Sequence, residues 1–263
     1  MDETFPPSDL DHFQRNGFVI ARGLASPEVV AQMRQVTLEG IERHIPPIEY
    51  EADLQYPGAP ESRDAEGGRT ARRLKMALGR SPVFIEFLSQ PAVVGRLQQL
   101  LGPQVVCPLA HHNCIMTKQP AYSSDTGWHQ DIRYWSFQRP ELVNLWIALG
   151  EERPDNGGLW VIPGSHRLPF QSHQFDAAKF FDPAVPENAA LIASRTPVTL
   201  APGDALFFHC LTLHAATRNQ TQEPKFSAVF TFRPGDNPPK AGTRSAGMPE
   251  LVVAHEQSTG NSG

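Results

Sequence analysis

The sequence predicts a helical N-terminal third supporting an antiparallel β-core of the sandwich or barrel kind. Three observations carry this. Helix-start signals followed by apolar residues at helical spacing mark the stretch before Gly102. After Gly102-Pro103 the chain turns into short β-like runs separated by Gly, Pro, Asn or Asp. The 25 Pro and 20 Gly among 263 residues are scattered, not massed, which means many turns and disfavours a bundle of long helices.

The elements follow in order. Ser8 with Asp11 reads as a capping box opening a helix to Arg15, ended by Asn16-Gly17. Phe18 to Ala21 reads as a strand. Ser26-Pro27-Glu28 combines an N-cap, Pro at the first helical position and an acid in the first turn, and Val29, Val30, Met33, Val36 and Ile41 recur at helical spacing to about His44. Residues 45–70 break all periodicity and read as a long loop of the kind that covers a site. A second helical region runs from Ser81-Pro82 to Leu101 with a break at Pro91. The expected strands are 104–107, 111–117, 143–149, 158–162, 196–200, 204–209 and 226–232, with 164–195 as a second long excursion. Beyond Pro234 the chain is polar, small and rich in Pro and Gly, and is expected to be at least partly mobile. The expected organisation is one domain over 1–263, with helical support and cover in 1–103, a β-core in 104–233 carrying the 164–195 insertion, and a tail in 234–263.

Composition narrows the function. Lys+Arg number 23 against 28 Asp+Glu, a net charge of −5, so nothing electrostatic favours broad binding to nucleic acid or anionic membrane. Cys107, Cys114 and Cys210 form no C-x-x-C pair and sit in apolar surroundings, which suits buried thiols and not a disulfide framework. The N-terminus lacks a signal-peptide pattern, and the longest apolar run, near Leu145 to Leu149, is far short of a membrane span. A cytoplasmic protein, monomer or homodimer, acting on a small molecule without nucleic-acid or membrane partners, is the expectation.

One cluster carries chemistry. In Gly127-Trp128-His129-Gln130-Asp131, His129 and Asp131 are two apart, so on a strand they share a face. An imidazole and a carboxylate on one face offer two adjacent ligands to a divalent metal; a distant His completes the 2-His-1-carboxylate triad used by non-haem iron oxygenases. His209 and His214 are candidates for the third ligand, separated by an odd number and so facing opposite sides of a regular strand. His166, His111 and His112 also remain open, and spacing alone does not choose.

The sequence resembles the phytanoyl-CoA dioxygenase family of Fe(II)/2-oxoglutarate oxygenases. The matching segments are Trp128-His129-Gln130-Asp131-Ile132-Arg133-Tyr134-Trp135, then Asn156 to His166, then Pro202 to His209 followed by His214, then Asn219-Gln220-Thr221. The match covers roughly residues 8–233. The resemblance implies a double-stranded β-helix, or jelly roll, with N-terminal helices packed on it. It implies Fe(II) held by His129, Asp131 and His214, with 2-oxoglutarate and O2 as cosubstrates. It gives His209 and His166 structural roles. Where the family usually has Arg, eleven positions after the distal His, this chain has Lys225. Arg holds a carboxylate by a planar fork, Lys as a point charge, and Ser227 stands on the same face to supply a second bond. Trp146 falls near a family Trp lining the cosubstrate pocket, and Lys75 near a family Lys that reaches the cosubstrate.

The function so implied is hydroxylation of a small-molecule metabolite, with 2-oxoglutarate decarboxylated to succinate. Related halogenases lack the carboxylate that Asp131 provides, so its presence favours hydroxylation, desaturation or ring closure. The substrate is expected to be anionic or polar, with Arg133, Tyr134, Trp135, Arg139 and Arg167 at the pocket mouth. The competing reading is a non-catalytic or metal-only binding protein on the same jelly roll, with cosubstrate binding lost through Lys225.

Overall fold

Pro at the start of every helix sets the architecture of the supporting layer. The structure is a computed structural model and describes residues 2–254. The helices are α1 (Pro7–Asn16), α2 (Pro27–Glu42), α3 (Pro82–Leu88), α4 (Pro91–Leu101) and α5 (Pro186–Ala193). Ser26 caps α2 as expected, its hydroxyl accepting from the Val29 amide. The cap expected at Ser8 is not made: Pro6 is the N-cap of α1, and no side chain caps it. Gly17 closes α1 at φ +81°, where a Cβ would stand 2.5 Å from both His166 Nδ1 and Thr212 Oγ1, so glycine is required there.

Thirteen strands are described: β1 (Phe18–Ala21), β2 (Ile48–Tyr50), β3 (Ala71–Lys75), β4 (Val105–Pro108), β5 (Asn113–Lys118), β6 (Thr126–His129), β7 (Val143–Ala148), β8 (Leu159–Val161), β9 (Thr196–Pro197), β10 (Ala205–His209), β11 (His214–Ala216), β12 (Lys225–Pro234) and β13 (Glu250–Ala254). They form a large sheet in the order β1-β10-β7-β12-β5-β3-β2, with β4 pairing β12 and β13, and a smaller one in the order β6-β11-β8-β9. All pairings are antiparallel, and the two sheets build the jelly roll.

The large sheet is covered on both faces, which is why its strands read as continuous apolar runs and not as alternating ones. Leu145, Ile147, Phe207, Phe230 and Phe232 face the helices, meeting Phe84, Phe87, Val93 and Leu97. Trp146, Ala148, Leu206, Phe208 and Val229 face the small sheet, meeting Leu159, Val161 and Ala216. The outer face of the small sheet is covered by the 164–195 excursion, through Phe170, Phe175, Phe181 and Leu191 on Ile162 and Leu213.

Several expectations change. Residues 45–70 are not wholly a loop, because Ile48–Tyr50 pair with Ala71–Lys75. The polar tail is not loose throughout: Glu250–Ala254 pair with β4, and Arg233 on β12 forks onto the Glu250 carboxylate. The expectation of mobility for 255–263 lies outside the described residues. Three strands of the supporting region, β1, β2 and β3, belong to the large sheet itself.

Candidate active site

Strand pairing assembles the site. His214 on β11 stands directly opposite His129 on β6, and the imidazole centroids are 4.2 Å apart. Asp131 arrives differently from the sequence expectation. β6 ends at His129, and Asp131 opens a 3-10 turn over Asp131–Tyr134, so a turn and not strand alternation brings the carboxylate round. One Asp131 oxygen lies 3.6 Å from His129 Nε2 and 3.7 Å from His214 Nε2. One ligand atom from each of the three residues lies within 4.8 Å of the others, and all three are buried.

The tautomers are fixed from behind. His129 Nδ1 donates to the Gly127 carbonyl (2.8 Å) and His214 Nδ1 to the Thr212 carbonyl (3.0 Å). Both Nε2 lone pairs therefore face Asp131 and the cavity, the orientation a metal ligand needs. The second Asp131 oxygen accepts from Asn144 Nδ2 (2.8 Å), whose own oxygen accepts from Thr231 (2.7 Å). Burial pushes the Asp131 carboxyl upward, but the surrounding imidazoles of His112, His214 and His129 outweigh it and hold the group well below its usual range. Burial, then His214, lowers His129 to about 4, so it is neutral and able to ligate at pH 7.

These groups line a cavity of about 250 Å³ with two arms. One arm runs between the sheets past Trp146, Lys118, Lys225, Gly157 and Leu159. Lys225 is 2 % exposed and Ser227 fully buried; Lys225 Nζ donates to Ser227 Oγ (2.9 Å) and Glu152 Oε2 (3.2 Å). Gly157 adopts φ +87°, and a Cβ there would come within 2.9 Å of the Lys118 stem, so glycine leaves room for that lysine. The other arm is lined by Arg73, His111, His112, Arg133, Tyr134, Trp135 and Arg244.

The remaining candidates separate clearly. Lys75 is not on this cavity: its ammonium pairs with Glu49 at 3.0 Å, its side chain is 47 % exposed, and it lines a neighbouring hollow. A slip in register between Glu49 and Tyr50 leaves Arg72 as an extra residue on β3, and Arg72 and Arg73 take the inward places. Arg139 pairs with Glu141 and Asp236 at the surface, and neither it nor Arg167 lines the cavity. His209 accepts from the Leu211 amide and His166 meets the Gln14 carbonyl, both structural contacts. Residues 45–70 supply Glu49, Leu54 and Tyr56 to the cavity wall, whereas 164–195 supports lining residues from behind: Phe180 lies against His129 and Arg133, the Ala178 carbonyl accepts from the Tyr134 hydroxyl, and Lys179 donates to the Arg133 carbonyl. The sequence reading missed Lys118, Glu152, Asn144 and Arg73. A lysine directly opposite Lys225 was the one available signal, and it required the β5–β12 register.

The phytanoyl-CoA dioxygenase family model matches residues 13–227. The chain belongs to that family. Among its relatives, the ectoine dioxygenase of Halomonas elongata is 26 % identical over 252 residues, covering 90 % of this chain and 72 % of the other. A probable phytanoyl-CoA dioxygenase of Caenorhabditis elegans is 22 % identical over 225 residues, covering 80 % and 69 %. Among solved structures, the non-heme alpha ketoglutarate dependent carbocyclase SnoK from nogalamycin biosynthesis superposes with a TM-score of 0.73 at 18 % identity, covering 93 % of this chain and 90 % of that one. EctD from S. alaskensis, solved with 2-oxoglutarate and 5-hydroxyectoine, gives 0.72 at 20 % identity, covering 91 % and 80 %. Like other phytanoyl-CoA dioxygenase family members, the chain is an iron- and 2-oxoglutarate-dependent dioxygenase. Among the described residues no helix is long and apolar enough to cross a membrane.

Proposed function

We propose that this dioxygenase hydroxylates a small anionic metabolite, with His129, Asp131 and His214 holding Fe(II). The observation that carries the metal assignment is the pair of Nε2 lone pairs and one carboxylate oxygen converging on the cavity with their far atoms already tied. Two imidazoles and one carboxylate on one side of an ion leave the opposite side open for cosubstrate and oxygen. When bound, iron with 2-oxoglutarate and O2 supplies the oxidising chemistry, releasing succinate and carbon dioxide. The protein's own part is geometric and electrostatic. Trp146, Leu159 and Phe208 wall the inner arm with apolar surface, and Lys225 and Lys118 offer the distal carboxylate of 2-oxoglutarate its counter-charge.

Unsatisfied polar groups in the outer arm support an anionic substrate. Arg133 Nη1 and His112 Nδ1 are buried without a hydrogen-bond partner among the described residues, and each such group costs about 1–3 kcal/mol when left unpaired. The Arg133 guanidinium lies 4.0 Å above the Phe180 ring, held at the cavity wall. Arg73 and Arg244 add positive charge, and Glu49, which pairs with Arg73 and Lys75, is the one acidic residue of the lining besides Asp131. A carboxylate or phosphate on the substrate would satisfy Arg133 and set the carbon to be oxidised toward the metal face. The three free, buried thiols support a reducing, cytoplasmic setting.

The test is anaerobic. Fe(II) followed by 2-oxoglutarate is expected to produce a weak visible charge-transfer band that needs both components and is absent in His129→Ala. Iron binding with no band at millimolar 2-oxoglutarate would favour the metal-only reading instead. A screen of small carboxylates and phosphates then reads coupled succinate release.

A further inference from the structure

Behind the inner arm lies a carboxylate that the oxygenase chemistry does not use. Glu152 follows β7, is 1 % exposed, and is not part of the cavity wall. Its oxygens accept from Trp146 Nε1 (2.9 and 3.0 Å), from Ser227 Oγ (2.6 Å) and from Lys225 Nζ (3.2 Å). Two of these donors, Trp146 and Lys225, do face the cavity, and the Lys225 ammonium stands 4.7 Å from the Trp146 ring centre. Glu152 is therefore the common anchor of the arm's back wall. It also sets a negative charge directly behind the residue that stands where the family binds the distal carboxylate.

The second lysine has the opposite circumstance. Lys118 lies opposite Lys225 in the β5–β12 register, is 6 % exposed, and donates to the Ser124 carbonyl. No carboxylate forms an ion pair with it among the described residues. Burial and then Arg72 lower it to about 7. Arg72 itself is matched by Glu51 at 3.1 Å. With both lysines protonated the arm holds two positive groups against one glutamate, a surplus of one, which equals the single charge a distal carboxylate brings.

Resting on the oxygenase reading above, we propose that Glu152 is a specificity-determining and positioning residue. It pins Lys225 and Trp146 and offsets the Lys225 charge, so that Lys118 and Lys225 jointly hold the distal carboxylate of the oxo acid. Removing the Glu152 charge leaves a surplus of two and strengthens binding of oxo acids that carry a distal carboxylate. Oxo acids without one are indifferent to it.

The experiment is an anaerobic titration of the Fe(II) protein at pH 6.0, about one unit below the Lys118 value, reading the charge-transfer band with 2-oxoglutarate and with 2-oxobutyrate. In Glu152→Gln the Kd for 2-oxoglutarate is expected to fall about tenfold, with 2-oxobutyrate unchanged. The double variant Glu152→Gln, Lys225→Met restores a surplus of one and should return the 2-oxoglutarate Kd to within about threefold of wild type. A band in wild type with the same 2-oxoglutarate Kd in Glu152→Gln overturns the inference and leaves the oxygenase reading intact. If Glu152→Gln does not fold, the double variant decides: a tenfold loss for 2-oxoglutarate with 2-oxobutyrate retained means Lys225 acts undiminished by Glu152, and overturns it. No band in wild type or variants overturns the oxygenase reading and this inference together.

Discussion

Replacing Asn144 by Leu should weaken metal binding without touching any ligand. Asn144 is fully buried on β7, opposite Thr231 of β12. It links Thr231 to the outer oxygen of Asp131 and so turns the other oxygen toward the two imidazoles. Leu has the same branching and number of heavy atoms, with bulkier methyl groups, so the change removes polarity and leaves no cavity. A hydrogen bond to a buried carboxylate contributes about 1.5–3 kcal/mol, and the stranded Thr231 hydroxyl adds roughly 1 kcal/mol. At about 2–4 °C per kcal/mol for a domain of this size, Tm should fall by roughly 5–16 °C. Loss of a partner that orients a ligating carboxylate typically costs about 10–100-fold in metal affinity. The assay is calorimetric titration of metal-free protein with Fe(II) under argon, beside a thermal melt. Thr231→Val, which breaks only the outer link, should show the smaller effect on both. A lowered Tm with Fe(II) affinity within twofold of wild type would refute the reasoning, since Asp131 would then be aimed by something else.

Two further outcomes follow from the core and from the buried imidazoles. Phe230→Ala, fully buried on the helix-facing side and packed on Phe84 at 6.2 Å, should cost about 3–5 kcal/mol in denaturant unfolding; a loss under about 1 kcal/mol would mean the helices do not depend on that face. Burial lowers His129 and His112 to about 4 in the folded chain, against about 6.5 when unfolded. Between those values the unfolded chain binds more protons, so stability falls as pH falls through that window. The Tm of metal-free protein should be lower at pH 5 than at pH 7, and a flat profile would count against neutral buried imidazoles.

Local signals in the sequence were readable where physics is local. Ser26-Pro27 started a helix because cap and fixed φ act within one turn. The β-core strands from Val143 and Ala205 were visible as apolar runs. Strands lacking that signature were not: Ala71–Lys75 is written Ala-Arg-Arg-Leu-Lys, and it is a strand because β2 and β5 flank it. The site shows the same division. His129 and Asp131 were found by proximity in sequence, though a turn and not a strand joins them. Choosing His214 over His209 needed the family pattern, because only the β6–β11 register shows which histidine faces His129. Lys75, expected at the cosubstrate from the family resemblance, shares the β3 face of Arg73 but lies two residues further along, where it meets Glu49 in the neighbouring hollow. Glu152 was invisible because its three partners lie on two different strands.

The position of β12 in the large sheet governs how this chain can be made. It pairs with β7, β5 and β4, yet spans Lys225–Pro234, near the end of the described chain; β1 likewise waits for β10, its register pairing Phe18 with Phe208. Apart from the β2–β3 and β3–β5 pairings, the strand pairings of the sheet therefore form only when most of the polypeptide exists, the regime in which folding is slow. At synthesis rates of about 5–20 residues per second, the apolar faces of α3 and α4 leave the ribosome roughly seven to thirty seconds before Phe230 and Phe232, which they pack against. During that interval Phe84, Phe87 and Leu97 have at most part of their sheet-side cover, from earlier residues such as Ile115 and Leu145, so expression at lower temperature should raise the soluble yield.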